Sequence, residues 1–108
     1  MHSTSNINFS IIIPALDEEG VIDNLLKILL EQKENFNFEI IVSDGGSKDN
    51  TIAISRQYAD KVVVWDRDQY QTIGGGRNIG ADQAKSQNFV FINADTLPKD
   101  TFNFLKKY

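Results

Sequence analysis

Between Phe38 and Thr51 the chain reads Phe-Glu-Ile-Ile-Val-Ser-Asp-Gly-Gly-Ser-Lys-Asp-Asn-Thr, and no other stretch limits its possible folds so strongly. Ile40, Ile41 and Val42 form an apolar run long enough for a buried strand and too short for a helix. The run stops at Asp44, and Gly45-Gly46 lets the backbone turn where most side chains would clash. Ser47, Asp49 and Asn50 then offer side-chain oxygens able to cap the orphan N–H groups of a helix start. A carboxylate at the C-terminal tip of a buried strand, beside a glycine turn, is where open α/β sheets bind ligands.

The rest of the chain supplies the sheet that such a site needs. Phe9 to Ile13 is a continuously apolar strand, and Pro14, which cannot donate to a ladder, is expected to end it. Asp17 reads as the cap of a helix with Glu18 and Glu19 near the positive end of its dipole. Val21, Ile22, Leu25, Leu26, Leu29 and Leu30 lie on one stripe of that helix. Glu31 to Asn37 is a polar return, and Ile52, Ala53 and Tyr58 mark a second, shorter helix. Lys61 to Trp65 reads as a third strand. Asp66 to Gly76, with three consecutive glycines and no clear period, reads as a loop. Arg77 to Lys85 reads as a helix in which small Gly80 and Ala81 permit close packing, and Phe89 to Ile92 as a fourth strand. That strand delivers Asn93-Ala94-Asp95 at its tip.

Strands alternating with helices predict an α/β fold: a three-layer, open, mainly parallel sheet with helices on both faces and right-handed crossovers. Every candidate functional residue then falls on one edge, beyond the strand C-termini. Residues 1–8 read as a flexible polar tail and residues 9–108 as one domain. Thr101 to Tyr108 reads as the beginning of a helix, so a truncated domain is expected.

Composition narrows the function classes. A net charge of −4 argues against a nucleic-acid backbone as partner, while leaving room for a single nucleotide, whose phosphates need only a few local donors. The chain has no cysteine, which excludes disulfides and thiolate metal sites and fits a cytoplasmic setting. No apolar tract reaches membrane-spanning length.

Glu18, Asp44, Asp49 and Asp95 are the acidic positions of interest. A nucleotide-sugar site needs an acceptor for base N–H groups and a hard oxygen ligand for Mg²⁺ or Mn²⁺. Asp44 suits the base and Asp95 the metal, and Arg77, just after the glycine run, could pair with phosphate oxygens. Each has a plainer role beside it: Asp49 as a helix cap, Glu18 as a dipole partner, Arg77 as a solvated helix residue, Asp44 and Asp95 as turn residues. The glycines Gly74, Gly75 and Gly76 do not make a dinucleotide fingerprint, because the third glycine position is Ile79.

Four ordered motifs carry a resemblance. Ser10-Ile-Ile-Ile-Pro-Ala-Leu-Asp-Glu-Glu19, Glu39-Ile-Ile-Val-Ser-Asp-Gly-Gly-Ser-Lys-Asp-Asn-Thr51, Gly76-Arg-Asn-Ile-Gly-Ala81 and Phe91-Ile-Asn-Ala-Asp-Thr-Leu-Pro98 together resemble family 2 glycosyltransferases across nearly the whole chain. The resemblance implies the Rossmann-like, nucleotide-binding half of a GT-A domain, a UDP- or GDP-sugar donor, a divalent cation (Mn²⁺ or Mg²⁺) and inverting transfer to an acceptor hydroxyl. It implies that Pro14, Ala15, Glu18 and Asp44 line the nucleoside pocket, that Arg77 and Asn93 lie near the donor, and that Asp95 binds the metal. Gly45, Gly46, Ser47, Asp49 and Thr51 match the motif that shapes the turn and the helix start. The family's Asp-x-Asp signature stands here as Asn93-Ala94-Asp95. In the family the general base and the acceptor cleft come from the second half of the domain, which nothing here matches, so the catalytic base is unknown. The 108-residue chain is expected to be inactive, or nearly so, by itself. A non-catalytic nucleotide-sugar-binding module and, further off, a nucleotidyltransferase are the alternatives, and an unpaired sheet edge would favour a homodimer.

Overall fold

The structure is a computed structural model that describes residues 7–66 and 73–95. The elements are β1 (Phe9–Ala15), α1 (Ile22–Gln32), β2 (Phe38–Asp44), α2 (Thr51–Tyr58), β3 (Lys61–Val64), α3 (Ile73–Asp82) and β4 (Phe89–Phe91). The strands form one sheet in the order β3-β2-β1-β4, and every pairing is parallel. The order reverses at β1: β2 and β3 run out to one side of it, and β4 lies on the other.

Pro14 does not end β1. It lies inside the strand opposite Ser43. Ser10 and Ile12 turn their backbone polar groups toward β4, since Ser10 N–H donates to Asn88 O and Ile12 O accepts from Ile92 N–H. Pro14, two residues on, faces the same way, but the β4 pairing has ended at Phe91 opposite Ile12. Its missing N–H therefore falls where the ladder has run out, and β1 continues to Ala15 on its bonds to β2 alone.

Alternation along the strands divides the sheet into two faces. One face gathers Ile11, Ile13, Ile40 and Val42 with Leu25, Leu26 and Leu29 of α1 into the main core, and Ile54, Tyr58 and Val62 pack against it. Each of these fully buried aliphatic side chains is worth about 1.5–3 kcal/mol relative to exposure. Phe9 and Phe38, opposite each other in register, stack with ring centroids 5.3 Å apart at the N-terminal edge of this core. The other face carries Ile12 and Ile41, also fully buried, under α3. Helices thus cover both faces, as the sequence predicts.

α3 departs from expectation at both ends. It begins at Ile73 rather than Arg77, so Gly74, Gly75 and Gly76 belong to its first turn. Glycine is a poor helix former, but α3 needs a residue without a side chain at Gly80. A Cβ there would stand 2.5 Å from Ile12 Cγ2, so only glycine lets the helix lie this close to β1. The helix stops at Asp82 rather than Lys85, tightened by the bonds from Gln83 N–H to Gly80 O and from Ala84 N–H to Ala81 O. The Lys61 ammonium takes the Gln83 carbonyl, and the Lys85 N–H donates to the buried Glu39 carboxylate, 2.6 Å away in each case. Those side chains draw the chain out of the helix. β3 and β4 each end one residue earlier than expected, and Thr101 to Tyr108 lie outside the described residues.

Candidate active site

The sheet order places a cleft of about 370 Å³ beyond the C-terminal ends of β1 and β4, where open α/β sheets bind ligands. Pro14, Ala15, Leu16, Trp65 and Ala94 give it an apolar wall, and Glu18, Asn93 and Asp95 give it a polar, acidic rim. A second, more open hollow at the opposite edge of the sheet, lined by Asn8, Phe9, Gln87, Asn88 and Phe89, contains no ionisable side chain and offers less to chemistry.

Two loops build the first cleft, and they are joined to each other. Asp44 at the end of β2 is fully buried, and its carboxylate accepts from Gly46 N–H at 2.8 Å, Ser47 N–H at 2.6 Å and the Ser47 hydroxyl at 2.6 Å. Gly46, at φ +93°, makes the turn that brings those donors round. The β1–α1 loop then docks on this turn. Asp17 N–H donates to Ser47 Oγ, Glu18 N–H to Thr51 Oγ1 and Glu19 N–H to Asp49 Oδ2, at 2.8, 2.7 and 3.2 Å. The Asp17 carboxylate returns the contact by accepting from Lys48 N–H at 2.8 Å and from Asp49 N–H at 3.4 Å. Asp17 adopts φ +52°, a conformation that aspartate tolerates better than most side chains.

These contacts revise two local expectations. Asp17 does not cap α1, which starts at Ile22 after Val21 with no side-chain cap; it clamps the neighbouring loop instead. Asp49 does serve the start of α2, accepting from Thr51 N–H at 2.9 Å, and it also reaches across to Glu19.

The electrostatics of the rim follow from this crowding. Burial, and then the charges of Asp95, Asp49 and Asp17, push the Glu18 carboxyl above its ordinary value. Partial desolvation acts to raise Asp49 too, but the hydrogen bonds from the Thr51 hydroxyl, Thr51 N–H and Glu19 N–H outweigh it and hold that carboxyl below its ordinary value. The cleft therefore concentrates negative charge beside an apolar wall.

Residues 10–105 match the sequence family described as Glycosyl transferase family 2. The chain belongs to that family. Over 97 residues it is 34% identical to the chondroitin synthase of Pasteurella multocida strain Pm70, a match covering 87% of this chain and 10% of that protein. Over 111 residues it is 31% identical to the dolichyl-phosphate beta-glucosyltransferase of Drosophila melanogaster, covering 92% of this chain and 34% of the relative. Among solved structures, S. aureus TarS superposes with a TM-score of 0.71 at 27% identity, over 94% of this chain and 33% of TarS. Glucosyl-3-phosphoglycerate synthase from Mycobacterium tuberculosis, solved with Mn²⁺, UDP and glucosyl-3-phosphoglycerate, shares the fold at a TM-score of 0.62 and 24% identity, over 87% of this chain and 37% of that one. The chain thus spans about a tenth to a third of the relatives it matches, and its architecture is that of GT-A glycosyltransferases.

Within this family-2 fold the structure sorts the residues that the sequence singled out. Pro14, Ala15, Glu18, Asn93 and Asp95 all meet at the cleft. Asp44 does not line it: the carboxylate expected to read a base is turned into its own loop, because the glycine turn presents three donors nearer than any ligand. Arg77 does not line the cleft either. Its guanidinium lies 5.5 Å from the centre of the Phe91 ring, on the α3 face of the sheet. Leu16, Trp65 and Ala94 line the cleft without having been marked in the sequence. Ala94 and Leu16 sit beside marked residues, a usable signal. Trp65 had only its place after β3, and the bond from its N–H to Asp44 O, 2.8 Å long, brings it to the cleft.

Among the described residues no three His, Cys, Asp or Glu side chains gather into a metal site. The donors present, Asp95 with Asn93 near it and Glu18 on the same rim, are hard oxygens. Mg²⁺ and Mn²⁺ in nucleotide sites take one or two carboxylates and complete their shell with phosphate and water. The donor set fits an ion of that kind. Among the described residues no helix is long and apolar enough to cross a membrane.

Proposed function

We propose that the cleft binds the nucleoside diphosphate part of a UDP- or GDP-sugar with a divalent cation, and that the protein transfers the sugar to an acceptor hydroxyl with inversion. The observation that carries this reading is the meeting of Glu18, Asn93 and Asp95 around one cleft beyond β1 and β4, with an apolar wall beside them. The wall of Pro14, Ala15, Leu16 and Trp65 suits a planar base, which gains by leaving water. The rim suits the diphosphate end, held through a cation on Asp95. A cation bound there would neutralise the charge that develops on the departing diphosphate. The neighbour solved with Mn²⁺ and UDP supports the choice of ligands to try first.

In the reaction the acceptor oxygen bonds to the anomeric carbon as the bond from that carbon to the diphosphate oxygen breaks. The hydroxyl proton passes to a base, and none of the described residues is assigned that role. Residues Pro14, Ala15 and Leu16 keep water from the nucleoside, and Asn93 orients the donor beside Asp95. A nucleotide-sugar donor is consistent with a cytoplasmic site of action.

Calorimetric titration of UDP and GDP, each with and without Mn²⁺, tests the reading, and fluorescence of the single tryptophan, Trp65, reports from the cleft wall. Binding of one nucleotide that strengthens with Mn²⁺, and loses that gain in Asp95→Ala, is the expected result. A folded protein that binds neither nucleotide under any condition refutes it.

A further inference from the structure

Thr51 stands at the start of α2, 33 residues from Glu18 in sequence, and is fully buried. A hydroxyl has one proton to give and lone pairs to accept with. The Thr51 proton goes to the Asp49 carboxylate, so the oxygen presents a lone pair to the Glu18 N–H. The orientation of the hydroxyl is thereby fixed from one side and used on the other. Ser47 repeats the arrangement, giving its proton to Asp44 and accepting from Asp17 N–H. The left-handed turn at Asp17 lets three successive N–H groups, those of Asp17, Glu18 and Glu19, meet acceptors from one neighbouring loop. A helix cap would need none of this. The bonds hold the backbone of the one residue whose carboxylate shares the cleft rim with Asn93 and Asp95.

We propose that Thr51 is a positioning residue for the donor's diphosphate end: its hydroxyl, oriented by Asp49, fixes the Glu18 backbone and so fixes where the Glu18 carboxylate stands in the cleft. The inference rests on the donor-cleft reading above. It assigns to α2, which contributes no residue to the cleft lining, control over its acidic rim.

Thr51→Val keeps the shape of the side chain but can neither accept from Glu18 nor donate to Asp49, whereas Thr51→Ser keeps both bonds. Binding of UDP with Mn²⁺, and of uridine without metal, is measured by calorimetry on each variant well below its melting temperature. Thr51→Val should weaken Mn²⁺-supported UDP binding about tenfold, the effect of leaving one buried donor unpaired. Uridine binding should stay within about twofold, and Thr51→Ser should behave as the parent. Should the valine variant not fold, Thr51→Ala leaves room for a water at the Glu18 N–H and should show a loss of about threefold in the same measurement. Unchanged UDP affinity in a folded hydroxyl-less variant overturns the inference alone. An equal fall for uridine and UDP also overturns it, because that is general loosening. A parent protein without Mn²⁺-supported UDP binding overturns the donor reading and the inference together.

Discussion

Replacing Gly80 with alanine sets two effects of opposite sign against each other. In a helix interior alanine is favoured over glycine by about 1 kcal/mol. The new Cβ, however, would stand 2.5 Å from Ile12 Cγ2 and 3.4 Å from Ser43 Cβ. Carbon atoms rest at about 3.5–4.0 Å, so the first contact is deep in the repulsive range. Ile12 cannot step aside cheaply: it is β-branched, fully buried, and lies in a strand paired on both sides. Overpacking in such a site costs about 1–3 kcal/mol, and this geometry points to the upper end. The net loss should be about 1–2 kcal/mol, or about 5–15 °C in Tm for a domain of this size. Urea unfolding followed through Trp65 fluorescence, with thermal melts by circular dichroism, would read it. The same substitution in an Ile12→Ala background is the control, because Cγ2 is then absent. There alanine at position 80 should be neutral or stabilising by up to about 1 kcal/mol. A Gly80→Ala protein as stable as the parent would refute the close approach of α3 to β1.

Two predictions concern the acidic rim. The Glu18 carboxyl is held above its ordinary value of 4.5, so the folded state favours the protonated form, and stability should decline as pH rises from about that value through the raised one. Glu18→Gln should therefore raise Tm at neutral pH while reducing the Mn²⁺-dependent part of UDP binding; an unchanged or lower Tm would count against the crowding described. Asp49 is held below its ordinary value of 3.8, so its contribution should be complete above that pH and be lost as pH falls through the lower, folded-state value. Asp49→Asn should flatten the acid side of a Tm-against-pH curve, and an unaltered slope there would remove Asp49 from the loop junction.

The local patterns of the sequence carried the architecture a long way. Short apolar runs at Phe9, Phe38, Lys61 and Phe89 became the four parallel strands, and the stripe from Ile22 to Leu29 became the buried side of α1. The family motifs located Glu18, Asn93 and Asp95 at a common edge. What escaped was decided between segments. Pro14 could remain in β1 because β4 is short, a fact about a neighbour far along the chain. The glycine run became helical because α3 must lie close to Ile12, against its own propensity. Asp17 looked like a cap for α1, yet its partners are Lys48 and Asp49. Asp44 was recognised as important, but the direction of a carboxylate depends on which donors the next turn offers. Periodicity reports which face a residue takes and says nothing of partners 30 residues away.

The unequal cover on the two sides of the sheet has a consequence in time. The α1 side is a continuous apolar cluster, whereas β4 pairs with β1 over three residues and leaves Phe89 and Phe91 40% exposed. Proteins open in parts, and the parts with least buried apolar contact open first. Amide protons of β1 and β2 should then exchange with solvent only when the whole domain unfolds, and those of β4 far sooner. The cleft straddles that boundary: Ala15 ends a long-lived strand, while Asn93 and Asp95 follow a short-lived one. Its nucleoside wall keeps its shape between ligands, and its opposite lip can breathe to admit and release them.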